Sequence, residues 1–200
     1  MRIGIFGGTF DPPHAGHKKY AEEFVGRLSL DRLIVIPTFI PPHKSGAQTA
    51  SGADRLRMLE LMFTGSERVT VSDMELKRGG KSYTCETVKE LAELHPADEL
   101  VFMVGSDMLL SFHTWREPET ILKYVRICAV ARDGGIGTAE LEAYVNEYFP
   151  EKRDRFIICA FDPVEVSSTL LRERLKNGEY NGDMLAPPVL EYIKERKLYL

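Results

Sequence analysis

Ile3-Gly4-Ile5-Phe6-Gly7-Gly8-Thr9-Phe10-Asp11-Pro12-Pro13-His14-Ala15-Gly16-His17 opens the chain after two residues, and its order decides the fold. An apolar, strand-like run comes first. A glycine pair and a proline-stiffened turn follow, and then a helix begins. Strand, glycines and helix start in that order form the arrangement that holds a phosphate on backbone N–H groups. His14 and His17, three apart, fall on one face of the helix's first turn. The stretch therefore points to a nucleotide triphosphate.

Charge placement strengthens that reading. Helix starts favour Asp and Glu, because the N-terminus carries partial positive charge. Here the first turn offers His14, His17, Lys18 and Lys19, with no acid before Glu22. An anion at the helix start turns that arrangement from unfavourable to favourable. The bland alternative has the histidines capping or packing and the lysines solvated. A metal shared by the two histidines is a third reading, but no further ligand stands nearby in the sequence. The common phosphate loops, Gly-x-x-x-x-Gly-Lys-Ser/Thr and Gly-x-Gly-x-x-Gly, are both absent.

Working outward, short apolar runs alternate with amphipathic segments. Strands are predicted at Arg2–Phe6, Arg32–Pro37, Val69–Ser72, Leu100–Val104, Val125–Ala131 and Arg155–Cys159. Most are continuously apolar, as strands covered on both faces are. Helices are predicted at His14–Leu28, Asp54–Phe63, Thr84–His95, Ala139–Phe149, Ser168–Lys176 and Pro188–Arg196. In the first, Tyr20, Phe24 and Leu28 form an apolar stripe. Alternating β and α elements imply an α/β fold with a doubly wound parallel sheet. No linker or repeat interrupts the 200 residues, so a single domain over 1–200 is expected. Ligands of such folds bind at the carboxyl ends of the strands. The loop over 7–17, the polar segment over 37–44, Gly105-Ser106-Asp107 and Arg132 all fall there. The segment over 41–52 and Gly134–Gly137 are expected to be loops.

Composition narrows the class. The net charge of −4 argues against a duplex nucleic-acid binder, which shows a basic face. No apolar stretch reaches the length of a membrane span. Cys85, Cys128 and Cys159 form no CxxC pair, which leaves free, buried thiols. With no leader-like segment at the start, a cytoplasmic setting is expected.

A second anion site is suggested by Ser167-Ser168-Thr169-Leu170-Leu171-Arg172. Ser or Thr before a helix is ordinarily just a cap. A capping box needs Glu or Gln three residues on, and none is present after Ser167, Ser168 or Thr169. Arg172 also puts a cation where the helix dipole disfavours it. Hydroxyls, amides and a guanidinium together suit phosphate oxygens.

These motifs carry a resemblance. Gly8-Thr9-Phe10-Asp11-Pro12-Pro13-His14-Ala15-Gly16-His17 resembles the signature of the His-x-Gly-His nucleotidyltransferases, and Ser167-Ser168-Thr169-x-x-Arg172 resembles their second signature. Pro41-Pro42-His43-Lys44, Ser72-Asp73-x-Glu75-Leu76, Gly80-Lys81-Ser82-Tyr83-Thr84, Gly105-Ser106-Asp107 and Thr114-Trp115 are similar to bacterial nicotinate-nucleotide adenylyltransferases. The likeness runs almost end to end and is weakest over Gly134–Arg155.

The resemblance implies a Rossmann-like nucleotidyltransferase fold with a small C-terminal helical segment. It implies transfer of AMP from ATP to nicotinate mononucleotide, a step of NAD biosynthesis, with release of pyrophosphate. His14, His17, Lys44 and Arg172 would act on the reacting phosphates. Gly7, Gly8, Thr9, Phe10, Ser167, Ser168 and Thr169 would bind ATP phosphates, and Gly105, Asp107 and Arg132 its adenosine. Lys44, Tyr83, Thr84 and Trp115 would receive nicotinate mononucleotide, with Trp115 stacked on the pyridine. Mg²⁺ would be held through phosphate oxygens rather than by protein ligands. Neither nucleic acid nor membrane is implied as a partner, and a homo-oligomer stays open. The competing readings are an adenylyltransferase preferring nicotinamide mononucleotide or another phosphomonoester, and a non-catalytic nucleotide sensor.

Overall fold

The computed structural model describes residues 1–42, 50–132, 136–161, 166–179 and 184–199. Its strands are β1 (Arg2–Gly8), β2 (Arg32–Pro37), β3 (Val69–Val71), β4 (Glu99–Gly105), β5 (Arg126–Arg132) and β6 (Phe156–Phe161). They form one sheet in the order β3-β2-β1-β4-β5-β6. The β1–β4, β4–β5 and β5–β6 pairings are parallel, with Ile3 opposite Leu100, Met103 opposite Cys128 and Val130 opposite Cys159. This is the doubly wound arrangement that the alternation of elements predicts. The order reverses between β1 and β4, and ligands of such sheets bind at the carboxyl ends beside a reversal. β1 ends in Gly7-Gly8 and β4 in Gly105, both singled out by their sequence context.

The helices are α1 (Ala15–Arg27), α2 (Gly52–Met62), α3 (Met74–Arg78), α4 (Thr84–Leu94), α5 (Ser106–Leu109), α6 (Pro118–Tyr124), α7 (Thr138–Tyr148), α8 (Ser168–Lys176) and α9 (Pro187–Glu195). The six long ones lie where the apolar spacing predicts, within a residue or two at each end. The sequence reading misses α3, α5, α6 and the 3₁₀ turns at Phe112–Thr114 and Pro150–Arg155. All are too short for a 3.6-residue period to show.

The chain forms two compact units, each assembled from separated segments. One comprises Met1–Phe6, Phe24–Leu33 and Tyr83–Pro163. Its core holds the buried faces of β4 and β5 and a cluster of Phe112, Trp115, Phe149 and Phe156. Gly4 is required there, because a Cβ would stand 2.4 Å from Leu30 Cδ1. Cys128 and Cys159 lie on neighbouring strands as free thiols, with the Cys128 S–H donating to Cys159 Sγ at 3.9 Å. Cys128 is buried as its apolar run predicts and Cys159 only half-buried; Cys85 is buried as well.

The other unit comprises Gly7–Glu23, Ile34–Ser82 and Val164–Leu200. In it α2 packs on α9, with Met58, Leu59 and Met62 buried on α2, Val189 and Ile193 buried on α9, and the Tyr192 hydroxyl donating to Asp54 at 2.9 Å. No helix among the described residues is long and apolar enough to cross a membrane.

Candidate active site

The glycine–histidine loop lies wholly in the second unit, and its backbone is set by close approach. Phe10 adopts a left-handed conformation with φ of 51°. Its ring is buried and packs beneath Gly8, where a Cβ would come within 2.8 Å of the ring. The same ring meets His17 edge-on at 4.9 Å between centroids. Phe10 is therefore a support for the loop. The Asp11–Pro12 peptide bond is cis.

At the start of α1 the histidines lock each other. The His14 backbone N–H donates to His17 Nδ1 at 3.1 Å, and the two rings stack with centroids 3.6 Å apart. With Nδ1 accepting, a neutral His17 carries its proton on Nε2, which makes that nitrogen the donor. His14 is 6% exposed, and its Nδ1 is buried with no hydrogen-bond partner. Burial holds its pKa down at about 4, so the ring is neutral near pH 7. A buried polar atom without a partner calls for an explanation, and a ligand absent from the structure supplies one. Gly16 sits against this pair, where a Cβ would stand 3.1 Å from His14 Nδ1 and 3.0 Å from Val166 Cγ1.

The first amides of α1 are engaged inside the protein. His14 N–H goes to His17, Ala15 N–H to Met184 O at 2.9 Å, and His17 N–H to His14 O at 2.9 Å. The sequence reading expects backbone N–H groups of this segment to bind phosphate. These three amides are already satisfied within the protein. No acid lies in the first turn of α1 or of α8.

The start of α8 is built onto the same loop. Ser168 Oγ donates to Pro12 O at 2.9 Å, and the Arg172 guanidinium donates to Asp11 O at 2.7 Å. Ser167 caps the helix by accepting the Leu170 N–H at 3.2 Å, without a capping box. Thr169 Oγ1 accepts from Arg172 at 3.2 Å. The two motifs thus meet at Asp11-Pro12, although they lie far apart in the chain. Ser167 Oγ thus caps the helix as an acceptor, and the Ser168 proton is committed to Pro12 O. Arg172 is engaged at only some of its N–H groups, and it keeps a fixed charge beside the loop.

Other predicted residues lie in the first unit. Gly105 is the cap residue of α5, and Asp107 follows it exposed, within the first turn and not at the cap. Tyr83 precedes α4 as its cap residue and Thr84 begins the helix. The Arg116 guanidinium lies over the Tyr83 ring at 4.5 Å and pairs with Glu86 at 3.2 Å. Trp115, the residue before Arg116, is 8% exposed and packs on Phe112 with centroids 5.3 Å apart. A ring stacked on Trp115 has to replace protein atoms on one of its faces. Arg132 ends β5. Lys44 lies outside the described residues.

The sequence reading misses what fastens the loop from behind. Arg55 is fully buried and donates to Thr9 O and to Thr38 O, each at 2.7 Å. Burial pulls its pKa down, and the Asp11 charge opposes that pull. A signal for Arg55 does exist: it shares the inward spacing of Met58, Leu59 and Met62 on α2. Asp11 itself receives the Tyr199 hydroxyl at 2.6 Å and the Ala50 N–H at 3.2 Å. Nothing local in the sequence marks Tyr199.

Comparison with known proteins identifies the family. Residues 5–174 fit the family model described as cytidylyltransferase-like. The chain is 38% identical over 198 residues to the probable nicotinate-nucleotide adenylyltransferase of Shouchella clausii (strain KSM-K16), covering 99% of this chain and 96% of that protein. It is also 38% identical over 201 residues to the protein of the same description from Dehalococcoides mccartyi, covering 100% of this chain and 97% of the other. Among solved structures, the Plasmodium falciparum nicotinic acid mononucleotide adenylyltransferase complexed with NaAD shares the fold at a TM-score of 0.73, with 19% identity, 99% of this chain covered and 97% of that one. With both signatures meeting at one loop and relatives aligned from end to end, the chain belongs to the cytidylyltransferase-like family and, within it, to the nicotinate-nucleotide adenylyltransferases.

Proposed function

We infer that this chain transfers the AMP moiety of ATP to nicotinate mononucleotide, forming nicotinate adenine dinucleotide and pyrophosphate. The observation that carries the reading is the meeting of two acid-free helix starts at Asp11-Pro12, through Ser168 and Arg172. The nucleophile is a phosphate oxygen of the mononucleotide. Its second pKa is about 6, so it is largely dianionic near neutral pH and needs no general base. The protein's task is to align the attack and to stabilise charge on the α-phosphate and the departing pyrophosphate. His17 offers Nε2–H, neutral His14 offers a second hydrogen-bonding ring, and Arg172 supplies fixed positive charge.

Lys44, Gly7, Gly8 and Thr9 are proposed to complete the phosphate site. Gly105, Asp107 and Arg132 are proposed to frame adenosine. Tyr83, Thr84 and Trp115 are proposed to receive the pyridine nucleotide. Among the described residues no three His, Cys, Asp or Glu side chains gather to hold a metal. A Mg²⁺ ion that arrives on the triphosphate fits such a site, since this ion keeps phosphate and water ligands and neutralises phosphate charge. A cytoplasmic setting and self-association belong to the same proposal.

The test measures pyrophosphate release with ATP, Mg²⁺ and a panel of mononucleotides. Nicotinate mononucleotide is expected to outrun the nicotinamide form, and His17→Ala to lower turnover about 10²–10³-fold while the protein stays folded. Equal or reversed rates remove the substrate assignment. An unchanged rate in His17→Ala removes the role of that ring.

A further inference from the structure

The loop over 9–12 presents a problem that any anion-binding loop must solve. Each peptide pairs an N–H that attracts phosphate with a carbonyl that repels it, so the carbonyls have to be held away from the anion. Here three of the four carbonyls from Thr9 to Pro12 are taken by donors of the protein itself. Thr9 O takes Arg55, Asp11 O takes Arg172 and Pro12 O takes Ser168. A further strong acceptor in this stretch is the Asp11 side chain, which is buried. A carboxylate beneath a phosphate site works against it unless donors hold it away. Ala50 N–H supplies one donor at 3.2 Å, and the second, shorter bond at 2.6 Å comes from Tyr199, 188 residues distant.

Tyr199 reaches Asp11 at some conformational cost. Lys197 and Tyr199 both have left-handed backbones, with φ of 51° and 62°. For residues with bulky side chains that region is disfavoured and persists only where the surroundings enforce it. The tail turns back on α9, with Leu198 N–H donating to Ile193 O at 3.0 Å, and it delivers a phenol that is itself buried. Burial raises the pKa of that phenol well above its ordinary value, with the Asp11 charge adding to the effect, so the group stays a donor.

We propose that Tyr199 is a positioning residue of the nucleotide site: its hydroxyl, through Asp11, orients the loop that carries His14 and His17. The proposal rests on the adenylyltransferase reading above. Tyr199 touches no reacting atom. It sets the place of Asp11, whose two neighbours in the loop, Pro12 and Pro13, lead directly to His14.

Tyr199→Phe keeps the buried ring and removes only the hydroxyl. The variant is assayed well below its unfolding midpoint, with its folded fraction measured by near-ultraviolet circular dichroism. Turnover is expected to fall about 10- to 100-fold, the scale of a small misplacement of reacting groups, while KM for ATP changes little. The ring resonances of His14 and His17 in NMR spectra are expected to shift in the ligand-free variant. A kcat within about twofold of the parent, unmoved histidine resonances, or a loss that tracks the unfolded fraction each overturns the proposal. If the parent chain itself releases no pyrophosphate, the functional reading fails, and the histidine resonances still decide whether Tyr199 orients the loop.

Discussion

His14 makes the stability of this protein depend on pH in a direction that can be calculated. Its ring is buried and neutral, with a folded-state pKa of about 4 against an ordinary value of 6.5. The folded value lies below the unfolded one, so as pH falls the unfolded chain takes up the proton first. The stability associated with a neutral His14 is whole above pH 6.5 and is lost as the pH falls toward about 4. At about 1.4 kcal/mol per pH unit, the full loss comes to about 3 kcal/mol. That is a large share of the roughly 5–15 kcal/mol that holds a domain folded. The assay is urea unfolding of the parent and of His14→Gln, which is close in size and does not titrate. Groups that titrate in both proteins cancel in the difference. Between about pH 7.5 and about pH 4.5 the parent is expected to lose at least about 2 kcal/mol more than the variant. Parallel curves would refute a buried, neutral His14. The functional corollary is that the fixed positive charge at this loop comes from Arg172 and not from His14.

Two further substitutions probe the loop's supports. Gly16→Ala places a Cβ 3.0 Å from Val166 and 3.1 Å from His14, so turnover is expected to fall about tenfold or more. Alanine also favours helix by about 1 kcal/mol over glycine, so a stability change smaller than the activity loss is expected, and full activity would show that the close approach is unimportant. Arg55→Met removes the donors from Thr9 O and Thr38 O and is expected to cost about 2–5 kcal/mol in chemical unfolding. A cost under about 0.5 kcal/mol would mean that water replaces the guanidinium there.

Much of this molecule is written locally. β2 and α8 fall at the predicted residues, and the other long elements shift by only a residue or two. Apolar period, glycine and proline all act within a few residues, so sequence reasoning reaches them. Both helix starts that lack acids, and the His-x-Gly-His unit, were also legible. What that unit does was less so. From the sequence, α1 offers amides to a phosphate. In the structure His17 Nδ1 and Met184 O have taken two of them.

The chain by itself determines which segments are strands and helices, and that two of its helix starts carry no acid in the first turn. Tertiary structure decides that both starts meet at one cis peptide, 156 residues apart by way of Ser168 and Pro12. It also decides that Arg55 and Tyr199 stand behind the loop. Secondary structure follows from interactions between near neighbours, whose signal is periodic. A hydrogen bond across 188 residues leaves no period, because its partners are chosen by the packing of the whole unit.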